Sequence, residues 1–197
     1  MILSTRFEQA MTYAAMIHSG QVRKGTTIPY LSHLLAVAGL VLENGGDEDE
    51  AIAALLHDAV EDGGGQPRLA DLRMRFGERV AGIVEGCTDA DTIPKPPWRA
   101  RKESYIAHLQ DVSASARLVS CCDKLHNCRS IVFDLHESPD TVWEKFQGKR
   151  DGTLWYYASL LKEYRRLDVS RPLVDELERT IQTMQLLADE NRNSEQA

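Results

Sequence analysis

Apolar positions along the chain recur mainly at the three- and four-residue spacing of α-helices, and the alternation typical of strands is nearly absent. Residues 7–18 carry one apolar face, and Thr5 and Glu8 have the spacing of a capping box at its start. A long apolar segment from Leu31 to Leu42 ends at Asn44 and two glycines. This pattern predicts an all-α protein.

A second capping-box spacing, Asp47 with Glu50, opens the apolar segment AIAALLHDAVED, which the glycines at 63–65 close. Gly77 separates two short predicted helices. We predict that the proline-containing segment TDADTIPKPPWRARK is a surface loop that leads into a helix with Tyr105, Ile106 and Leu109. Helical spacing then continues in SARLVSCCDKLHNCRSIV, TLWYYASLLKEY and PLVDELERTIQTMQLLA. We therefore expect one compact multi-helix domain over residues 1–188, followed by a polar, frayed tail over 189–197.

Composition fits this expectation and narrows the possible partners. The 197 residues, 43% hydrophobic and 27% charged, suit one globular domain, and no apolar run approaches the roughly 18 residues that span a bilayer. A net charge of −7 argues against nucleic-acid binding. The first residues lack the basic and apolar regions of a signal peptide, so we expect a cytoplasmic protein without membrane partners. The four cysteines have no zinc-site spacing, and we interpret them as packing residues.

Four ionisable residues follow the most apolar helical segment of the chain. His57 and Asp58 are adjacent, and Glu61 and Asp62 come one helical turn later. Burial of unpaired carboxylates is costly, and a divalent cation is a common way to neutralise such a cluster. The alternative is a His-Asp pair followed by a solvated, acidic helix end.

Two distant polar residues change this interpretation. His33 and Asp123 each lie within a strongly apolar helical segment, and taken separately each could be a core residue with satisfied hydrogen bonds. Together with His57 and Asp58 they complete the ordered pattern H…HD…D, with two imidazoles and two carboxylates from three helices. Such a set suits a mid-row divalent metal such as Mn, Fe or Co better than Ca or Mg.

The flanking segments AMIHSGQVRKGTTIPYLSHL, ALLHDAVEDGG, FGERVAGIVEGCTD and DKLHNCRS resemble, in order and spacing, the hydrolase domain of RelA/SpoT-type proteins and the small alarmone hydrolases of the HD superfamily. The resemblance covers about residues 7 to 165. It implies hydrolysis of the 3′-pyrophosphate of a (p)ppGpp-like nucleotide, with release of pyrophosphate. It also implies that Mn²⁺ is the cofactor and that the catalytic residues Glu61 and Asp62 manage the attacking water. The implied metal ligands are His33, His57, Asp58 and Asp123.

The same segments depart from the family pattern at two positions. Ala59 and Gly63 stand where the family usually has threonine, and GGGQP replaces a polar region. Both departures fall beside the residues assigned to the attacking water.

Basic and polar side chains near these motifs are the candidates for binding a small phosphorylated nucleotide. The resemblance places a base-side contact, including arginine stacking, at Arg23 and Lys24, and sugar or phosphate contacts at Asn127 and Ser130. The distal phosphates could be received by a basic cluster: Lys95, Arg99, Arg101 and Lys102. The alternatives are a solvated loop for the first pair, an ordinary helix surface for the second and a solvated basic face for the cluster.

Other aromatic and histidine residues are given supporting roles. Trp155 and Tyr156 are predicted as core residues rather than walls of a base site. His18 is predicted to orient the loop or to support a ligand. His126 follows Asp123 in sequence, but we predict that it points elsewhere on the helix and is structural.

The sequence is also compatible with two other functions. The first is an HD phosphohydrolase for another nucleotide, such as an adenosine alarmone, a nucleoside monophosphate or a phosphorylated dinucleotide. The second is a nucleotide- or metal-binding sensor module without turnover. The intact HDxxED sequence favours an enzyme over a sensor. The sequence leaves the oligomeric state open.

Overall fold

The structure is a computed structural model that describes residues 2–89, 94, 96–139 and 141–194. The described residues form no strand beyond an isolated bridge between Val22 and Pro29, so the predicted all-α class is confirmed. The helices are α1 (Thr5–Ile17), α2 (Leu31–Glu43), α3 (Glu48–Leu56), α4 (Ala59–Gly63), α5 (Gly65–Phe76), α6 (Glu78–Cys87), α7 (Trp98–His108), α8 (Ala114–Glu137), a 3₁₀ turn (Val142–Lys145), α9 (Lys149–Arg166) and α10 (Arg171–Ser194).

Several helix boundaries follow the signals in the sequence. Asp47 and Glu50 form the predicted capping box, in which each side chain accepts a hydrogen bond from the backbone of the other residue. Gly77 has a φ of 93°, a left-handed conformation that favours glycine, and it separates α5 from α6. At α1 the prediction was wrong by one residue, because Ser4 rather than Thr5 is the cap and its Oγ accepts a hydrogen bond from Arg6 N at 3.2 Å.

The predicted helix through residues 51–62 is interrupted. His57 and Asp58 form a turn between α3 and α4, although both keep right-handed backbone angles. The amide of Asp62 still donates to the carbonyl of Asp58 at 2.9 Å. These two metal-ligand candidates therefore lie at a helix junction, and the two candidate catalytic carboxylates lie on the short helix that follows it.

Helix α8 lies at the centre of the core, where it packs against α2, α3, α6 and α10. Its buried face includes three of the four cysteines, and Cys87 on α6 is buried as well. Burial raises the pKa of each of these thiols, which disfavours the reactive thiolate. This environment agrees with the packing role predicted for the cysteines.

Helix α10 continues beyond the boundary predicted at residue 188. It extends to Ser194, so the expected polar tail is helical over its first residues. Its buried residues, which include Leu177, Ile181 and Met184, join the same core as α8. Within the part of the chain that the structure describes, no helix is both long enough and apolar enough to cross a membrane.

Candidate active site

The fold brings the four predicted metal ligands together. His33 lies on α2, His57 and Asp58 lie at the α3–α4 junction, and Asp123 lies on α8. The ligand atoms of His33, His57 and Asp58 are all within 4.8 Å of one another. Asp123 Oδ1 is 3.2 Å from His33 Nε2 and 3.6 Å from His57 Nε2.

These distances can be compared with those expected around one ion. Asp58 Oδ2 lies 3.1 Å from His57 Nε2 and 3.6 Å from His33 Nε2. Adjacent ligands bonded at about 2.1 Å to a single ion lie roughly 3 to 3.5 Å apart. His33, His57 and Asp58 therefore have the spacing of a divalent-metal site, and Asp123 Oδ1 lies within 3.6 Å of both imidazole nitrogens.

The two imidazoles also direct their Nε2 atoms toward the carboxylates of Asp58 and Asp123. The Nε2 atoms of His33 and His57 are buried and have no hydrogen-bond partner among the described residues. An unsatisfied buried polar atom is costly, and a bound cation removes that cost. The donor set, with two nitrogens and two carboxylate oxygens, fits a mid-row divalent ion.

Hydrogen bonds orient two of these ligands. His57 Nδ1–H donates to the carbonyl of Ala54 at 2.8 Å, which leaves Nε2 unprotonated when the ring is neutral. The hydroxyl of Tyr30 donates to Asp58 Oδ2 at 2.5 Å. Burial alone would raise the pKa of Asp58, but His57 and His33 hold this pKa well below its usual range. Asp58 is therefore anionic, as a metal ligand would need to be.

Asp123 is held from the same helix. Lys124 Nζ donates to Oδ2 and Asn127 Nδ2 donates to Oδ1, each at 2.5 Å. The side chain is almost completely buried, which opposes ionisation, but the Lys124 cation and the two imidazoles hold the pKa of Asp123 well below its usual range. Lys124 is thus a supporting residue that the sequence analysis did not identify.

The two candidate catalytic carboxylates follow on α4. Asp62 Oδ2 accepts a hydrogen bond from Gln21 Nε2 at 2.7 Å, and Gln21 Oε1 accepts one from His18 Nδ1–H at 2.6 Å. Desolvation and the carboxylates of Asp58 and Glu61 raise the pKa of Asp62, while the Gln21 amide opposes the shift. A raised pKa brings a carboxylate closer to the range suited to proton transfer near neutral pH.

His18 supports the loop before α2, as predicted. Its buried ring stacks on Tyr30 with a centroid distance of 5.3 Å, and Tyr30 in turn donates to Asp58. His18 therefore contacts both the loop residue that holds Asp62 and the tyrosine that holds Asp58.

The prediction for His126 was wrong. Its Nδ1 lies 2.8 Å from Nδ1 of His33, so it faces the metal-ligand cluster rather than pointing elsewhere. The physical reason is helical spacing, because residues three apart share a face and His126 follows Asp123 by three.

The candidate base-side loop contacts the cluster indirectly. Arg23 Nη2 donates to Asn127 Oδ1 at 2.7 Å, and its guanidinium carbon lies 5.7 Å from the centre of the Tyr30 ring. Lys24 is exposed. Ser130 Oγ donates to the carbonyl of His126 at 3.1 Å within its own helix. Arg23, Asn127 and Asp123 thus form a continuous chain of hydrogen bonds.

The basic cluster is divided between two environments. Arg101 and Lys102 both pair with Asp89, and Lys102 Nζ lies 4.8 Å from the centre of the buried Tyr156 ring. Burial, assisted by the Lys124 and Arg101 cations, lowers the pKa of Lys102 to about 7. A lysine with this pKa changes charge near neutral pH.

Arg99 has a different environment from this pair. Arg99 is exposed and its guanidinium lies 3.3 Å from the centre of the Trp155 ring. Lys95 lies outside the described residues. Tyr156 is buried in the core as predicted, and Trp155 is partly buried and packs against the core.

Comparison with known proteins identifies the family. The profile of the HD domain matches residues 10–154. The chain belongs to the HD-domain family. The resemblance of the motifs to HD-superfamily hydrolases is therefore confirmed.

Curated relatives are 34% to 39% identical to this HD domain. The Xenopus tropicalis protein named guanosine-3′,5′-bis(diphosphate) 3′-pyrophosphohydrolase MESH1 is 39% identical over 126 residues, which cover 62% of this chain and 68% of the relative. The Drosophila melanogaster protein of the same name is 34% identical over 151 residues, which cover 75% and 78%. The Escherichia coli K12 bifunctional (p)ppGpp synthase/hydrolase SpoT is 34% identical over 131 residues, which cover 64% of this chain and 18% of SpoT.

Solved structures show the same fold. A metazoan orthologue of SpoT that hydrolyses ppGpp superposes with a TM-score of 0.77 and 29% identity, over 92% of this chain and 97% of its own. A Listeria monocytogenes EGD-e protein superposes with a TM-score of 0.66 and 29% identity, over 76% and 96%. The single HD domain predicted from the sequence therefore has close structural counterparts.

The structure shows the surroundings of Ala59, one of the two departures from the family pattern. Ala59 is buried at the start of α4, directly after the ligand candidate Asp58. A methyl group at this position adds to the apolar packing and offers no hydroxyl to the adjacent site. Gly63, the other departure, ends α4.

Proposed function

We propose that this HD domain hydrolyses the 3′-pyrophosphate of a (p)ppGpp-like nucleotide and releases pyrophosphate. The observation that carries the proposal is the meeting of His33, His57, Asp58 and Asp123, with Glu61 and Asp62 on the next helical turn. The names of the relatives, which are 34% to 39% identical, support the choice of substrate.

We further propose Mn²⁺ as the cofactor, held by His33, His57, Asp58 and Asp123. Two imidazoles and two carboxylates suit a mid-row divalent ion, and the resemblance to the alarmone hydrolases favours manganese. When bound, such an ion supplies Lewis acidity that polarises a phosphoryl oxygen and makes water more acidic. The protein contributes pre-oriented ligands, because Tyr30, Lys124, Asn127 and the carbonyl of Ala54 hold three of the four.

Glu61 and Asp62 are proposed to position the attacking water and to transfer its proton. Asp62 has a raised pKa and a fixed orientation, because Gln21 donates to one of its oxygens. Glu61 lies on the same short helix, and its charge acts on Lys102 and Tyr156. The proton taken from water can then be returned to the 3′ oxygen of the leaving nucleotide.

The substrate is proposed to lie between two groups of side chains. Arg23, Lys24, Asn127 and Ser130 would contact the base, sugar and nearest phosphate, while Lys95, Arg101 and Lys102 would receive distal phosphates. Support for the second group comes from Arg101 and Lys102, which are mostly buried and share the single carboxylate of Asp89. Two basic side chains that share one carboxylate offer several hydrogen-bond donors for a phosphate group. A cytoplasmic location is part of this proposal.

A substrate panel tests the proposal. With Mn²⁺ supplied, we compare a guanosine nucleotide that carries a 3′-pyrophosphate with the matching nucleotide that has 5′ phosphates alone. We expect kcat/KM to be at least about 10²-fold higher for the first, because the second lacks the 3′ group that the site would bind in the transition state. The measurement is the initial rate for each nucleotide at equal concentration.

The panel also separates the alternatives. If an adenosine 3′-pyrophosphate is the preferred substrate, the proposed 3′-pyrophosphate hydrolysis stands and only the base of the substrate differs. Equal or faster hydrolysis of simple 5′ nucleotides would contradict the proposal and indicate a general HD nucleotide phosphohydrolase. Tight nucleotide binding without turnover of any substrate would indicate a sensor module.

A further inference from the structure

His126 contacts the metal-ligand candidate His33. The contact is made by Nδ1 of His33, whereas its Nε2 faces the carboxylates of Asp58 and Asp123. The Nδ1 atoms of His126 and His33 are 2.8 Å apart, and the ring centroids are 4.8 Å apart. His33 is buried, and His126 is partly exposed. No ligand role in the H…HD…D pattern explains why a second imidazole lies here.

The contact restricts where the protons of both rings can be. Two facing ring nitrogens form a hydrogen bond only when one carries a proton and the other presents a lone pair. His33 Nε2, directed at Asp58 and Asp123, needs its lone pair for a metal ion, so the proton of a neutral His33 ring must be on Nδ1. Nδ1–H of His33 is then the donor and Nδ1 of His126 is the acceptor.

We propose that His126 is a positioning residue that selects the metal-binding tautomer of His33 and fixes the orientation of its ring. The inference rests on the divalent-metal site proposed above and adds to it a residue outside the ligand set. For His57 the corresponding acceptor is the backbone carbonyl of Ala54, which a side-chain substitution does not remove. For His33 the acceptor is a side chain, and it can be tested.

The position of His126 on α8 gives this contact a second consequence. Asp123 and His126 are three residues apart on one face, so α8 supplies both a metal ligand and the acceptor that orients the ligand from α2. The packing of α2 against α8 therefore sets the geometry of two ligands together. Loss of the acceptor is expected to weaken metal binding without removing any ligand.

The test uses three substitutions at one position. Asparagine places its Oδ1 where Nδ1 of histidine lies, glutamine places its oxygen one bond further out, and leucine offers no acceptor. We expect His126→Leu and His126→Gln to raise the Kd for Mn²⁺ by about 10- to 100-fold, the usual cost of losing such a partner, and His126→Asn to stay within about threefold of wild type. Mn²⁺ affinity is measured by electron paramagnetic resonance of the free ion, with the metal-free chain as starting material.

A matched control and a second readout separate positioning from general stability. His136 is an exposed histidine on the same helix, and His136→Leu is expected to leave the Kd unchanged. The melting temperature in excess chelator is expected to be similar for His126→Asn and His126→Gln, since only the Mn²⁺-induced increase should differ.

Each outcome bears on a defined claim. Wild-type affinity in His126→Leu, or equal affinities in the asparagine and glutamine variants, would overturn the positioning role while leaving the metal site intact. A wild-type chain that binds no Mn²⁺ would overturn both. If the leucine variant does not fold, the asparagine and glutamine pair decides by the same criterion.

Discussion

Replacement of Asp123 with alanine is expected to abolish Mn²⁺ binding and hydrolysis together. Asp123 Oδ1 lies 3.2 Å and 3.6 Å from the two imidazole nitrogens, and its carboxylate is one of the two negative charges in the cluster. The loss should exceed the roughly 10- to 100-fold that follows removal of an outer partner of a ligand. Metal content after dialysis and kcat/KM at saturating Mn²⁺ measure the two effects.

A control distinguishes loss of a ligand from loss of an aspartate. Asp111 is exposed in the segment between α7 and α8, and Asp111→Ala is expected to keep both metal and activity. Because the ion would join α2, the α3–α4 junction and α8, excess chelator should lower the melting temperature of wild type and leave that of Asp123→Ala unchanged. Full activity of Asp123→Ala after exhaustive chelation would remove Asp123 from the site.

Glu61→Gln is expected to keep Mn²⁺ and lose turnover. Glu61 lies on α4, beyond the junction that carries the ligands, and the amide preserves its shape while removing its capacity to accept a proton. General acid–base groups typically contribute about 10²- to 10⁴-fold, so kcat should fall within that range while KM changes little. Steady-state kinetics and metal content are measured on the same sample.

Two companion variants sharpen this result. Asp62→Asn should behave like Glu61→Gln if the two carboxylates share the proton transfer. Glu85→Gln, which makes the same change on the exposed face of α6, should leave kcat unaltered. Loss of metal from Glu61→Gln would make Glu61 a ligand, and a change in kcat below about threefold would exclude it from proton transfer, given the usual size of that effect.

The candidate ligand positions could be proposed from sequence because His33 and Asp123 each interrupt a strongly apolar helical pattern. A lone histidine or aspartate within an apolar helix has no inexpensive explanation, and His33 and Asp123 are buried as that pattern requires. The all-α class followed from helical spacing over most of the chain. The start of α3 could be predicted from the capping box of Asp47 and Glu50, because this signal lies within four consecutive residues.

Other features depend on contacts that no local pattern encodes. The interruption at His57 and Asp58 was not predicted, because AIAALLHDAVED has continuous helical spacing. The bond from Tyr30 to Asp58 joins residues 28 apart, and that from Arg23 to Asn127 joins residues 104 apart. His126 was the exception, since its three-residue spacing from Asp123 was a local signal that pointed to the shared face.

The most direct test of the proposed chemistry is the identity of the products formed in ¹⁸O-labelled water. Hydrolysis of a guanosine 3′-pyrophosphate nucleotide with Mn²⁺ by attack of water at phosphorus should release intact pyrophosphate carrying the label, together with a nucleotide whose 3′ hydroxyl is unlabelled. Mass spectrometry of both products measures this outcome. Orthophosphate as the first product, or label in the 3′ hydroxyl, would contradict the proposed reaction.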